Sequence, residues 1–593
     1  MVLAIGLAAA ACNAALPETG TNVFENPGPV SPQNDLDRLV FTRLERLNLQ
    51  PVLCSDAVFI RRAYLDVIGT LPTAKEARAF IEDPDTKNKR RRLIDRLLER
   101  DEFADYWAMK WADVLRIKAE FPVNLWPNAA QAYHRWVRAS IAANKPYDQF
   151  ARELLTSSGS NFRVGPVNFY RAVQNRTPEG IAGVVALTFM GARVDTWPTN
   201  RLAGFAAFFS QIGYKPTSEW KEEHVFWDPL GLSKVAGNSA PGLASVAALA
   251  QVSNTVAEIL VPRATTSVPS LGIFPDGTQV ALPLDRDPRE IFADWLITPK
   301  NPWFTRSIVN RVWAWLLGRG IIHEPDDIRD DNPPSNAALL AWLEKQMVDG
   351  HYDMKRLYRL ILNSQTYQMS ALPRSTSPEA VANFASYPLR RLDAEVLSDA
   401  INKITGNSDL YTSPIPEPFT YIPKGMPAIA IADGSITSPF LALFGRSARA
   451  TGMENERNNR PTPAQALYLL NSTEVQRKLE QGPGLQSLLS SGRKQPELIE
   501  ELYLTILSRF PTPDEVLAIE AYGGALPVKA AQAQKPPAAG EATNSPAGVK
   551  PGPLGSLGRP GKGSPTATKA KKRDDWIDVA WSLINSEEFL YRH

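Results

Sequence analysis
Apolar positions recur at helical spacing along most of the chain, beginning at Asp35. Leu39, Phe41, Leu44 and Leu47 open the pattern, and Leu93, Ile94, Leu97 and Leu98 form a stripe behind Arg90-Arg91-Arg92. Asp101 reads as the N-cap of the next helix, with Phe103, Trp107, Trp111 and Val114 on one side. Helices are predicted to continue through 134–156 and 178–190. Between Gly213 and Leu284, Gly, Pro, Ser and Thr interrupt short β-prone pieces such as Gln279–Leu282, which predicts a small connector containing strands. The helical period resumes at Asp287. There Phe304, Ile308, Val312 and Trp315 make one stripe, closed by Gly318 and Gly320. Leu339–Met347 is stopped by Gly350, and Asp353 caps a helix that turns Leu357, Leu360 and Ile361 inward.

Two stretches break the pattern. Residues 526–573 are rich in Ala, Pro, Gly, Ser, Thr and Lys, with Glu541 as the single acid. Such a segment buries too little apolar surface to offset its ordering entropy, so disorder is expected. Ile577, Trp581 and Ile584 then resume a helical stripe, expected to dock on 498–507 with Trp581 buried. At the other end, the apolar, Ala-rich run Met1–Ala11 leads into Cys12 and reads as an export leader, with Cys12 as a lipidation candidate. The expected organisation is a leader (1–23), a tether (24–34), a helical domain (35–212), the connector (213–285), a second helical domain (286–525), the disordered linker (526–573) and a C-terminal helix (574–593). The fold class is mainly α.

Composition narrows the function classes. The net charge is +2, from 65 basic and 63 acidic residues in 593, which gives nucleic acid binding no support. No run reaches the roughly 18–20 apolar residues that span a bilayer. With only Cys12 and Cys54, a chain whose Cys12 is removed or acylated has no internal disulfide, and Cys54 reads as a small packing residue. Most of the 14 Trp fall on helical stripes, so core packing is preferred over sugar stacking.

Candidate chemistry is sparse. The five His residues have no zinc-ligand spacing, and phosphate-loop, dinucleotide and nucleophile-elbow motifs are absent. The densest acidic patch holds His323-Glu324 with Asp326, Asp327, Asp330 and Asp331, before Asn332-Pro333-Pro334. Such a loop offers oxygen ligands to calcium. The preferred reading is structural, with the acids capping helices and pairing with Arg311 and Arg319, and no metal or other cofactor is assigned. Glu454 and Glu456 carry carboxylates suited to acid–base work, but a buried ion pair with Arg457 is preferred.

Two blocks resemble a known pair of families. Arg61-Arg62-Ala63-Tyr64-Leu65-Asp66-Val67-Ile68-Gly69-Thr70-Leu71-Pro72-Thr73 is similar to the start of domain-of-unknown-function family 1549. Asn310–Pro334, within a match over Asp287–Ser370, resembles the planctomycete-type family 1553, and the likeness returns at Leu389–Ile401, Phe444–Ser472, Tyr503–Pro513 and Ala580–His593. Many relatives carry a C-x-x-C-H haem-attachment segment after a G-x-R motif and a C-E-C-E-R segment later. This chain runs from Gly191-Ala192-Arg193-Val194-Asp195 directly into Thr196-Trp197-Pro198, and has Met453-Glu454-Asn455-Glu456-Arg457 at the second place. Loss of both thiol motifs fits a single site removed as a unit.

The resemblance and the leader together imply an exported envelope or surface protein, most simply a non-catalytic module that binds a co-encoded secreted partner or a surface glycan. The alternative is an enzyme or redox-associated component without its own haem. Arg311, Arg319, Asp326, Asp327, Asn332, Glu454, Glu456 and Arg457 are the candidate site residues, and no catalytic residue is assigned.

Overall fold
The computed structural model describes residues 22–233, 270–522 and 571–593. The leader with Cys12 and the expected linker up to residue 570 lie outside the described residues. The chain is mainly α, with few and short strands.

Local chemistry sets the helix starts. Asn34 accepts the Asp37 N–H at the head of Asp35–Arg46, and Ser55 accepts the Val58 N–H at the head of Asp56–Val67. Thr73 and Glu76 close a capping box on Ala74–Ile81. Asp287, Asn336 and Asp353 cap Pro288–Leu296, Ala337–Asp349 and Met354–Leu362. The expectation for Asp101 is corrected. Arg100 holds the N-cap of Asp101–Val114, and Asp101 sits in the first turn, where its charge favours the positive end of the helix dipole.

The predicted stripes at 93–98 and 103–114 are buried throughout. The first helix is turned slightly from expectation: Leu36, Val40, Phe41 and Leu44 face inward, while Leu39 and Leu47 stay half-buried. In the second half Leu357 and Ile361 are buried and Leu360 is half-buried. Cys54 is buried and unpaired, as a packing residue should be.

The strands are staples on this helical body. β1 (Glu25–Asn26) pairs antiparallel with β2 (Leu53–Cys54). β3 (Gly159–Ser160), β4 (Ile212–Pro216) and β5 (Glu223–Trp227) form one antiparallel sheet with β5 central, so the connector is stitched to the preceding helices. β6 (Ser270–Ile273) and β7 (Gln279–Leu282) form a hairpin. β8 (Arg390–Arg391) pairs with β9 (Tyr591–Arg592), which brings the C-terminal segment beside residue 390.

One continuous core joins the two helical regions. Arg61 donates to the carbonyls of Ile506 and Phe589 at 2.9 and 2.8 Å. Arg62 donates to Tyr367, Met369 and His593 carbonyls at 2.6, 2.9 and 2.8 Å. Buried charge-assisted hydrogen bonds of this kind contribute about 1.5–3 kcal/mol each. Trp107 meets Trp315 at 5.5 Å and Tyr358 at 4.3 Å between ring centroids, so these indoles are core elements.

The helix Arg573–Ile584 packs on Gln495–Ile506, as the sequence predicts. Its buried indole, however, is Trp576 at 7% exposure, with Ile577, Ala580, Leu583 and Ile584. Trp581 is only half-buried, at the margin of that face.

Candidate functional site
The helix Phe304–Leu317 stops at Gly318, whose φ of +71° places it in the left-handed region. A Cβ at Gly318 would lie 2.6 Å from Arg390 Cδ, so glycine also admits that side chain. Arg390 donates to the carbonyls of Trp315 and Leu316 at 2.9 and 2.8 Å, satisfying the end of the helix. Beyond Gly318 the chain folds back, because Asn310 exchanges two 2.9 Å hydrogen bonds with the Ile322 backbone.

Arg311 is 1% exposed and pairs with Asp326 at 2.6 Å. It also donates to the carbonyls of Thr188 and Leu187. The second Asp326 oxygen accepts the Glu454 N–H at 2.6 Å. Asp326 thereby has a partner on each oxygen and binds three separate segments together. Asp327 pairs with Arg329 at 3.2 Å, and Asn332 Nδ2 donates to the carbonyls of His323 and Asp327. The acids of this loop diverge, and among the described residues no group of three or more His, Cys, Asp or Glu is placed to hold a metal ion.

The expected pairing around Arg457 is corrected. Arg457 bonds Asp113 at 2.8 Å and Glu395 at 2.6 Å, not its sequence neighbours. Glu456 accepts the N–H groups of Ala450 and Thr451, closing its own turn. Glu454 accepts Trp315 Nε1 at 2.8 Å. Burial, reinforced by nearby Asp326 and opposed by Lys110, raises the Glu454 carboxyl above its usual range.

Beneath these residues lies a buried ionic network. Asp393 accepts from Lys110 at 3.0 Å, Arg592 at 2.7 Å and Asn459 at 2.7 Å. Burial works against its charge, but Lys110, Arg592 and Arg457 prevail and hold it well below the ordinary carboxylate range. Glu395 is likewise pulled down to about 2, against burial, by Arg457 and Arg446.

Above the network opens a cleft of about 400 Å³. Its charged lining is Lys110, Arg319, Arg390, Arg391, Arg457, Arg460 and Arg592 against Glu324, Asp393 and Glu454. Three of the arginines have no ion pair among the described residues. Arg319, expected to pair with the acidic loop, is half-buried and its Nε has no partner. Arg391 donates only to the carbonyls of Leu392, Phe444 and Asn458. Arg460 is exposed at the rim. His323, also in the wall, is held below its usual pKa by burial and by Arg319.

Residues 35–212 match the family described as PSCyt2, protein of unknown function (DUF1549), and residues 288–522 match PSD1, protein of unknown function (DUF1553). The chain carries these paired planctomycete-type domains of unknown function. No curated protein and no solved structure matches it.

The cleft sits where the two family regions meet. Lys110 comes from the DUF1549 region, Asp393 and Arg457 from the DUF1553 region, and Arg592 from beyond both matches. The two places where the chain lacks thiol motifs also converge here. Arg193 pairs with Glu324 at 2.9 Å and the Ile328 N–H donates to Gly191 O, while Glu454 reaches the same loop through Asp326. Val194–Trp197, Met453 and Asn455 supply no thiolate or imidazole, so these residues do not fit a c-type haem. Sequence reasoning found Arg311, Arg319, Asp326, Glu454 and Arg457 but missed Lys110, Asp113, Asp393, Glu395, Arg391 and Arg592. Their charges lie on helices, on two short strands and at a helix N-cap, where they read as solvated positions, and the partners that bury them come from segments distant in the sequence.

Proposed function
We propose that this chain is an exported envelope or surface protein with a non-catalytic binding role, and that its cleft takes the carboxylate or sulfate groups of an acidic glycan. The observation that carries the reading is the set Arg319, Arg391 and Arg460, guanidinium groups without carboxylate partners around one cleft. A planar guanidinium fork suits bidentate oxyanions. The buried network beneath fixes the remaining arginines, so ligand binding orders little further. Export rests on Met1–Ala11 and Cys12, and Cys12 is the candidate for a lipid anchor. No helix among the described residues is long and apolar enough to cross a membrane.

The test is native electrophoresis in gels containing polygalacturonate, dextran sulfate or neutral dextran. The acidic polymers should retard the chain in a salt-sensitive way, with the uronate and sulfate arms distinguishing the two oxyanions. Equal mobility in all three gels would contradict the reading.

One observation favours the alternative of an enzyme or redox-associated component. Glu454 is a carboxyl with a raised pKa on the wall of a basic cleft, which is a setting for proton transfer. Under that reading, Glu454→Gln abolishes a turnover that the wild type performs. Under the binding reading, it leaves affinity for the acidic polymer in place.

A further inference from the structure
Three acids line the cleft, and two of them are already paired. Glu324 meets Arg193 at 2.9 Å, and Asp393 meets Lys110 and Arg592 at 3.0 and 2.7 Å. Glu454 differs: among the described residues it is the one acid of this lining in no ion pair. Its Oε2 accepts Trp315 Nε1 at 2.8 Å, and no hydrogen bond among the described residues reaches Oε1. The Glu454 N–H donates to Asp326 Oδ2 at 2.6 Å, which fixes the start of the turn Glu454–Glu456 and holds a second carboxylate nearby.

The neighbouring charges are engaged elsewhere. Arg311, one turn before Trp315, belongs to Asp326, and Lys110 belongs to Asp393. Arg457 takes Asp113 and Glu395, while Glu456 turns to the Ala450 and Thr451 N–H groups. Arg390 closes the helix end at Trp315 and Leu316. Arg319, Arg391, Arg460 and His323 line the same cleft without reaching Glu454.

A carboxyl placed in this way acts on an anionic ligand oppositely in its two forms. Neutral, it is an O–H donor, and O–H groups make short, strong hydrogen bonds to oxyanions. Ionised, it sets a like charge against the ligand in a partly dry cleft, where repulsion is weakly screened. We infer that Glu454 is the selectivity gate of this cleft, donating its O–H to a bound oxyanion when neutral and repelling the same ligand when ionised. The inference rests on the acidic-glycan reading. Burial, with Asp326, outweighs Lys110, Trp315 and Arg311 and raises the Glu454 carboxyl, so the neutral form persists above the ordinary range. The sign follows: an anion favours the protonated form, so binding takes up a proton, and affinity falls as pH rises through the raised pKa.

The test is isothermal titration of the full chain with an oligogalacturonide and with a sulfated oligosaccharide from about pH 5 to 8, where both ligands keep their charge. For whichever binds, affinity should fall roughly tenfold toward the alkaline end. Repeating the titration in buffers of different ionisation enthalpy should show proton uptake by the wild type, a readout that needs no variant. Glu454→Gln keeps an oxygen for Trp315 Nε1 and should flatten the profile, matching wild type at the acid end and binding more tightly at the alkaline end. His323 also gains charge as pH falls, with the same sign of effect, so His323→Gln is the control and should keep most of the slope. Binding without proton uptake, or a slope that Glu454→Gln leaves intact, would overturn the gate while the acidic-glycan reading stands. Absence of binding to both ligands at every pH would overturn the two together.

Discussion

Lys110 and Asp393, 283 positions apart in sequence, meet at 3.0 Å beneath the cleft, with both side chains buried. The same carboxylate takes Arg592 and Asn459, so its oxygens are fully used and it serves as an anchor, not as a base. Removing the anchor takes from Lys110 its ion-pair partner in a largely buried wall and leaves Arg592 with Asp66 alone. Asp393→Ala should therefore cost about 3–5 kcal/mol, whereas Lys110→Met should cost less because Arg592 still neutralises Asp393. Chemical denaturation of both variants checks the order, and equal small losses would remove the network from the account.

The network also fixes the acid limb of stability. Glu395 has a folded pKa of about 2 against an ordinary 4.5. A depressed carboxylate contributes stability that is complete above its unfolded pKa and is lost as pH falls through the folded one. The melting temperature should fall between pH 4.5 and about 2, with a shallower fall in Glu395→Gln.

Asp399 works in the opposite sense. It accepts the Ala428 and Ile429 N–H groups at 2.7 and 3.1 Å, yet burial pushes its carboxyl up to about 7 from 3.8. Between these values the folded chain holds a proton that the unfolded chain releases, so this group lowers stability as pH rises. Asp399→Asn should gain stability relative to wild type on going from pH 4 to about 7, read as the difference between their unfolding free energies. A constant difference across that window would show that Asp399 titrates normally.

At the C-terminal helix the sequence pattern and the structure diverge by one face. Trp576→Ala should cost roughly 3–5 kcal/mol, and Trp581→Ala, at the margin, about 1 kcal/mol. Thermal and denaturant unfolding of the two variants should rank them in that order.

These results separate what a sequence carries locally from what it does not. The stripe Leu93, Ile94, Leu97 and Leu98 was legible because helical period and burial are properties of neighbouring residues. Trp576 was missed because a stripe drawn through Ile577, Trp581 and Ile584 also has helical spacing, and only the partner helix decides which face is covered. Arg311 and Asp326, 15 residues apart, were legible as partners, since a helix end and a return loop can bring such a pair together. Arg457 was assigned to adjacent glutamates, but the short turn at Glu454–Glu456 sends those side chains elsewhere and leaves Arg457 to Asp113 and Glu395. The basic cleft was not legible, because a net charge of +2 averages its arginines against acids on distant surfaces.

The central claim is that unpaired guanidinium groups in the cleft bind an acidic glycan. Isothermal titration of the full chain with an oligogalacturonide and with a sulfated oligosaccharide, at low and high salt, tests it most directly. The account predicts salt-sensitive binding of at least one of them, weakened about tenfold or more by Arg319→Ala with Arg460→Ala. Absence of binding to both ligands, or an affinity that the double variant leaves unchanged, would contradict it.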